Sequence, residues 1–147
     1  KQLRAFYADG SASEETVSSL REFLALIPAD RGVALEIKDD WVIDPVLGMR
    51  IVTMLLDARM KGRAVVLSFK REHLRAMREF APWLPAGLIT MGNYWPLHPF
   101  ELCGPHPKIL ALNRLYVWLA HRRGKVVCPL DPWPEERLDW YRRLRQP

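Results

Sequence analysis

The feature that most constrains this chain is a rhythm in which short β-branched runs alternate with amphipathic helical segments. Residues 33–38 (V-A-L-E-I-K) alternate apolar and polar positions, which predicts a half-buried strand. Residues 64–69 are apolar until Ser68 and suit a parallel strand covered on both faces. Residues 87–90 and 125–128 read as two more short strands, and a further one is predicted around residues 100–103. Helices fall between them. Ser19-Leu20-Arg21-Glu22 is a capping box, followed by Leu20, Phe23, Leu24 and Ile27 on one helical face, with Pro28 as the stop. Asp44-Pro45 pairs a capping carboxylate with proline at the first helical position and opens a helix over residues 46–60, ended by Gly62. Residues 72–80 form another amphipathic helix. Asn113 caps one that runs to Arg123 and Gly124, and Pro134 opens the last, which carries Leu138, Tyr141 and Leu144. The first dozen residues end in Asp9-Gly10-Ser11 and read as a polar, turn-rich lead-in.

This alternation means α/β with a mainly parallel sheet. A closed (β/α) barrel has eight such units over about 250 residues. Four or five strands therefore make a partial TIM-type barrel or a small open sheet. The 147 residues are expected to form a single domain, residues 1–147. Apolar residues at 49% and charged residues at 27% exclude a disordered or collagen-like chain. No apolar run is long enough to span a bilayer, and no signal peptide is visible. The chain opens on Lys1 rather than Met, so sequence upstream is expected to have been processed, cut or left out. The formal charge of +5 is mild, with the excess concentrated after Arg114. An ordinary solvated surface explains it, and nucleic acid is not an expected partner. Cys103 and Cys128 make neither a disulfide scaffold nor a C-x-x-C site, so reduced thiols and a cytoplasmic location are expected.

The strand over residues 33–38 carries the one constellation with chemistry in it. Val33, Leu35 and Ile37 share one face, while Ala34, Glu36 and Lys38 share the other. In a barrel the second face looks into the lumen near the strand's C-terminal end, where barrel active sites sit. Charges there need a partner or a ligand. A hard cation on Glu36 and a phosphate oxygen on Lys38 would satisfy them. The alternative is an edge strand whose polar face is wet, with Glu36 and Lys38 as a weak surface pair. Asp39 and Asp40 stand at the same rim and either lend a carboxylate to the site or turn the chain. Ser68 ends its strand near Glu36 and either faces the pocket or packs its hydroxyl. His98 and His106 lie in the Pro-rich stretch of residues 91–107, from which they could approach a substrate. His121 reads as structural at a helix C-terminus, Trp118 and Trp140 as core or interface aromatics, and no H-x₃-H or H-E-x-x-H spacing occurs.

Five further stretches fall in a recognisable order: S-L-R-E-F-L-A-L-I-P from Ser19, V-A-L-E-I-K from Val33, A-V-V-L-S-F from Ala64 with Leu74, Arg75 and A-P-W-L-P-A-G-L from Ala81, residues 112–127 with Ala120, His121 and Gly124, and Pro134-Glu135-Glu136. Together they resemble the second half of the glycerophosphodiester phosphodiesterase family. The resemblance implies a (β/α)8 barrel, and hydrolysis of a glycerophosphodiester to an alcohol and glycerol phosphate with Mg²⁺ or Ca²⁺. It implies that Glu36 matches a metal-ligand glutamate and Lys38 a phosphate-contacting lysine.

The family's H-R-G, E-x-D and H-D motifs do not occur in these residues, and Pro129 stands where its tryptophan would be. The chain alone is therefore expected to lack a complete acid/base pair and a full metal-ligand set. Two roles follow: an enzyme whose remaining strands are supplied by residues missing from this chain, by a second chain or by a domain swap, or a non-catalytic module that keeps the fold and an anion pocket as an interaction or scaffold protein. The exposed strand edges of a half-barrel predict self-association or a partner subunit in either case.

Overall fold

The computed structural model describes residues 4–6, 9–92, 94–107 and 112–145. Its helices begin where the sequence places caps. At α1 (Leu20–Ala25) the Glu22 N–H donates to Ser19 Oγ at 3.3 Å while the Ser19 N–H donates to Glu22 Oε2 at 2.7 Å. At α2 (Pro45–Asp57) Asp44 Oδ1 accepts from the N–H groups of Val46 and Leu47 at 2.9 and 3.0 Å. Helix α3 spans Arg71–Phe80. At α4 (Arg114–Arg122) Asn113 Oδ1 accepts from the Tyr116 N–H at 3.0 Å. Helix α5 spans Leu138–Arg145 and is preceded by a 3-10 turn over Pro134–Arg137.

Five strands make one parallel sheet: β3 (Val33–Glu36), β4 (Ala64–Ser68), β5 (Ala86–Thr90), β6 (Leu102–Pro105) and β7 (Val126–Val127). Their spatial order is β3-β4-β5-β6-β7, so each new strand is added on the same side of the last. Such one-way winding, with right-handed crossovers, lays the connecting helices on one face and leaves the other uncovered. A doubly wound sheet would reverse direction and cover both.

The two faces differ in composition. Ile37, Ala64, Val66, Ala86 and Leu88 pack on Ile51, Val52 and Leu55 of α2 and on Leu74 and Met77 of α3 in the larger core. Cys103 and Val127 pack on Tyr116, Val117 and Ala120 of α4, with Trp140, Tyr141 and Leu144 against them. The alternate positions look onto the other face, which is exposed or half-buried at Ala34, Glu36, Val65, Leu67, Leu102 and Val126 and buried at Gly87 and Ile89 of β5. Helices α2 and α3 approach closely at Gly48, where a Cβ would lie 2.6 Å from the Val42 carbonyl oxygen and 2.5 Å from the Phe80 ring. Arg63 Nη1 reaches the carbonyl oxygens of Pro28, Ala29 and Arg31 at 2.7 to 2.9 Å and pins the loop that feeds β3.

The differences from the sequence reading are local. The lead-in is a hairpin: β1 (Arg4–Phe6) and β2 (Ala12–Thr16) pair antiparallel around Asp9-Gly10-Ser11. Gly10 takes a φ of 84°, and the Ser11 hydroxyl and N–H both donate to Asp9 Oδ1 at 2.6 and 2.8 Å. Asp-Gly is a strong hairpin signal, but its flanking residues lack apolar alternation. Strand β6 starts two residues later than predicted and ends on Pro105, whose missing N–H is tolerated at a strand terminus. No helix among the described residues is long and apolar enough to cross a membrane.

Candidate active site at the open rim of the sheet

Because the five strands are parallel, their C-terminal ends share one rim. Lys38 follows β3, Phe69 and Lys70 follow β4, Met91 follows β5 and His106 follows β6. Glu36 closes β3 on the uncovered face, and Lys38 lies two residues on, with Nζ 3.8 Å from Glu36 Oε1. The lysine side chain is 78% exposed and the glutamate 32%. The pair is thus a largely solvated, loosely joined couple of charges. At that exposure the ion pair adds little stability, which leaves both groups available to a ligand.

The remaining predicted residues separate into two groups. Asp39 turns the chain: its Oδ1 accepts from the Trp41 N–H at 3.4 Å and caps the 3-10 turn Asp40–Ile43. Asp40 accepts from Lys70 Nζ at 2.6 Å and lies 2.7 Å from His73 Nε2, and those two partners, Lys70 foremost, hold its carboxyl below the usual range. Ser68 does not face the open side. Its position on β4 alternates with Leu67, so the side chain points under α3, 1% exposed, and donates to the Ile37 carbonyl at 2.8 Å. His98 also turns inward. Its Nδ1 accepts from the Phe100 N–H at 3.3 Å, and its Nε2 lies 3.4 Å from Cys103 Sγ on the helix-covered side. Burial, followed by the charges of Lys125 and Arg71, pushes its pKa down to about 4. Burial likewise pushes the Cys103 thiol up, which makes it a packed group rather than a nucleophile. His106 stays at the rim, half-buried, and its N–H donates to the Thr90 carbonyl at 3.0 Å.

At the C-terminal ends of β4 and β5 the rim carries a cleft of about 520 Å³ lined by Phe69, Arg71, Ile89, Thr90, Met91 and Tyr94. It joins a guanidinium to apolar walls. Sequence reasoning also missed His73, which is fully buried and links Ser68 to Asp40. Those partners lie five and 33 positions away, and only the β3–β4 pairing brings the second within reach.

The sequence matches no family model, and no curated protein matches it. Solved structures do match. The chain superposes with a TM-score of 0.72 on a provisionally named glycerophosphodiester phosphodiesterase from Galdieria sulphuraria, at 20% identity, covering 88% of this chain and 57% of that one. A glycerophosphodiester phosphodiesterase from Parabacteroides distasonis gives 0.66 at 16% identity, over 91% of this chain and 59% of that one. A provisionally named glycerophosphoryl diester phosphodiesterase from Silicibacter pomeroyi gives 0.64 at 24% identity, over 76% and 45%. The fold is that of the glycerophosphodiester phosphodiesterases. The chain spans about half the length of these structures and has the architecture of part of a (β/α) barrel.

In barrels of this kind the C-terminal rim is where chemistry is placed. The residues present do not by themselves fit a divalent cation, since no three His, Cys, Asp or Glu side chains gather at one point among the described residues. Hard cations take six or more oxygens, and Glu36 provides a single carboxylate next to an ammonium.

Proposed function

We propose that this chain is the phosphate-holding part of a glycerophosphodiester phosphodiesterase-type hydrolase, and that an alcohol and glycerol phosphate are released once further strands, from residues beyond this sequence or from a second chain, complete its open sheet into a barrel. One juxtaposition carries the reading: Glu36 and Lys38 stand together at the C-terminal end of β3, on the uncovered face of a sheet with the phosphodiesterase fold. Lys38 is a mobile point charge that meets a non-bridging phosphate oxygen and offsets the charge that builds there as water attacks phosphorus. Glu36 would lend one carboxylate to the Mg²⁺ or Ca²⁺ that the resemblance implies, an ion that the described residues do not hold by themselves. The chain's own contribution is thus binding and charge neutralisation, with His106 at the same rim and the Arg71 cleft beside it. The half-exposed apolar positions of the open face, Val65, Leu67 and Leu102, and the unpaired outer edges of β3 and β7 favour association.

The test is turnover of a glycerophosphodiester with and without Mg²⁺ or Ca²⁺, at protein concentrations where association is complete. Metal-dependent hydrolysis is expected, abolished by Glu36→Gln and lowered about 10²-fold by Lys38→Ala, the scale of one lost charge-stabilising donor. Absence of turnover by the wild-type assembly would leave a non-catalytic anion-binding scaffold instead.

A further inference from the structure

Behind the rim, one imidazole is connected to the strand that carries the candidate site. His73 on α3 has no solvent exposure. Its Nδ1 lies 3.0 Å from Ser68 Oγ and its Nε2 2.7 Å from Asp40 Oδ1, which also accepts from Lys70 Nζ. Ser68 Oγ accepts from the Lys70 N–H at 3.1 Å and lies 2.8 Å from the carbonyl oxygen of Ile37, the residue between Glu36 and Lys38. A serine hydroxyl has one hydrogen, and a carbonyl oxygen can only accept it. The contacts join into one unbroken chain from the Asp40 carboxylate through the His73 ring and the Ser68 hydroxyl to the Ile37 carbonyl.

We propose that Asp40, His73 and Ser68 form a positioning relay that clamps the backbone between Glu36 and Lys38 and thereby sets how that pair faces a phosphate ester. The importance of the clamp rests on the phosphodiesterase reading above; its existence does not. At 65% exposure the Asp40 side chain ties the relay to the surface at the same end of the sheet. None of the three touches the substrate; they act through the Ile37 carbonyl.

The test separates the two arms of the ring by amide exchange in the full chain. Asparagine at position 73 reproduces the reach of Nδ1, and glutamine that of Nε2. His73→Asn is expected to keep exchange of the Ile37 and Lys70 amides within about twofold of wild type. His73→Gln and Ser68→Ala are expected to speed it about tenfold, the scale of one lost hydrogen bond. A space-filling role for His73 would treat asparagine and glutamine alike, and that result overturns the relay. Asp40→Ala leaves the core untouched and serves if the His73 variants fail to fold. It is expected to shift the ring nitrogen resonances of His73, and unchanged resonances contradict the proposal. Inorganic phosphate, followed at the Lys38 amide, reads the functional half. Ser68→Ala is expected to weaken it about fivefold, and equal affinity overturns that half. If wild type binds no phosphate, the phosphodiesterase reading fails, while exchange and ring resonances still decide whether the relay exists.

Discussion

Burial decides what the individual titratable side chains do. His98 is held neutral between Phe100 and Cys103, and its pKa falls from 6.5 to about 4. A base whose folded pKa is depressed contributes stability that is full above the unfolded value and is lost as pH falls toward the folded one. The window is therefore pH 6.5 down to about 4, and complete protonation removes about 3 kcal/mol. Urea unfolding midpoints are expected to drop across that range in wild type and to stay nearly flat in His98→Gln. Equal slopes in the two proteins would show that another group governs the acid response. Ser68 teaches a related lesson: a hydroxyl at a strand end, read from sequence, is ambiguous between pocket and packing. The alternation with Leu67 and the donor-hungry Ile37 carbonyl resolve it toward packing.

At the scale of elements, the caps were legible because they are local. Ser19, Asp44 and Asn113 each satisfy an N–H two or three residues away, so their pattern survives in the sequence alone. Asp44→Ala is expected to cost about 1 kcal/mol in unfolding experiments. Gly48→Ala is expected to cost more, about 1–3 kcal/mol, because its methyl would meet the Val42 carbonyl and the Phe80 ring. A Gly48→Ala protein as stable as wild type would mean that α2 and α3 separate freely. The strand that Glu36 closes was legible for the same reason, by its period of two, although it ends two residues before the predicted Lys38. What could not be read was whatever depends on pairing across distance: the Asp40–His73 contact, the inward turn of His98 and the cleft beside Phe69. The C-terminal helix is another such case. Asp131, only 1% exposed in its side chain, accepts from Arg137 Nη1 at 2.7 Å and from the Tyr141 hydroxyl at 2.6 Å. Burial pushes its carboxyl up, but Tyr141, the Trp133 amide and Arg137 outweigh that and hold it below 3.8. Its contribution is present above that pH and is lost as pH falls further. Fluorescence of Trp140 on α5 is expected to report detachment there, and to do so at higher pH in Tyr141→Phe.

The whole molecule is an open sheet with helices on one side. Its parallel strands alternating with helices were implied by the sequence rhythm, and their order β3-β4-β5-β6-β7 is that of part of a barrel. Exposed apolar positions on a sheet face and open strand edges favour association. Light scattering is expected to show concentration-dependent dimers or larger species, weakened by Val126→Lys at the β7 edge, where the side chain is already 57% exposed. A monomer at all concentrations would mean that the open face is stable in water.

The central claim is that Lys38, beside Glu36, holds a phosphate at the open rim, and the most direct measurement is a titration with glycerol phosphate followed by backbone amide shifts. The account expects the shifts to centre on residues 36–38 and 67–71, with affinity at least tenfold weaker in Lys38→Ala, about 1.4 kcal/mol. Shifts elsewhere, or an affinity unchanged by that substitution, would contradict it.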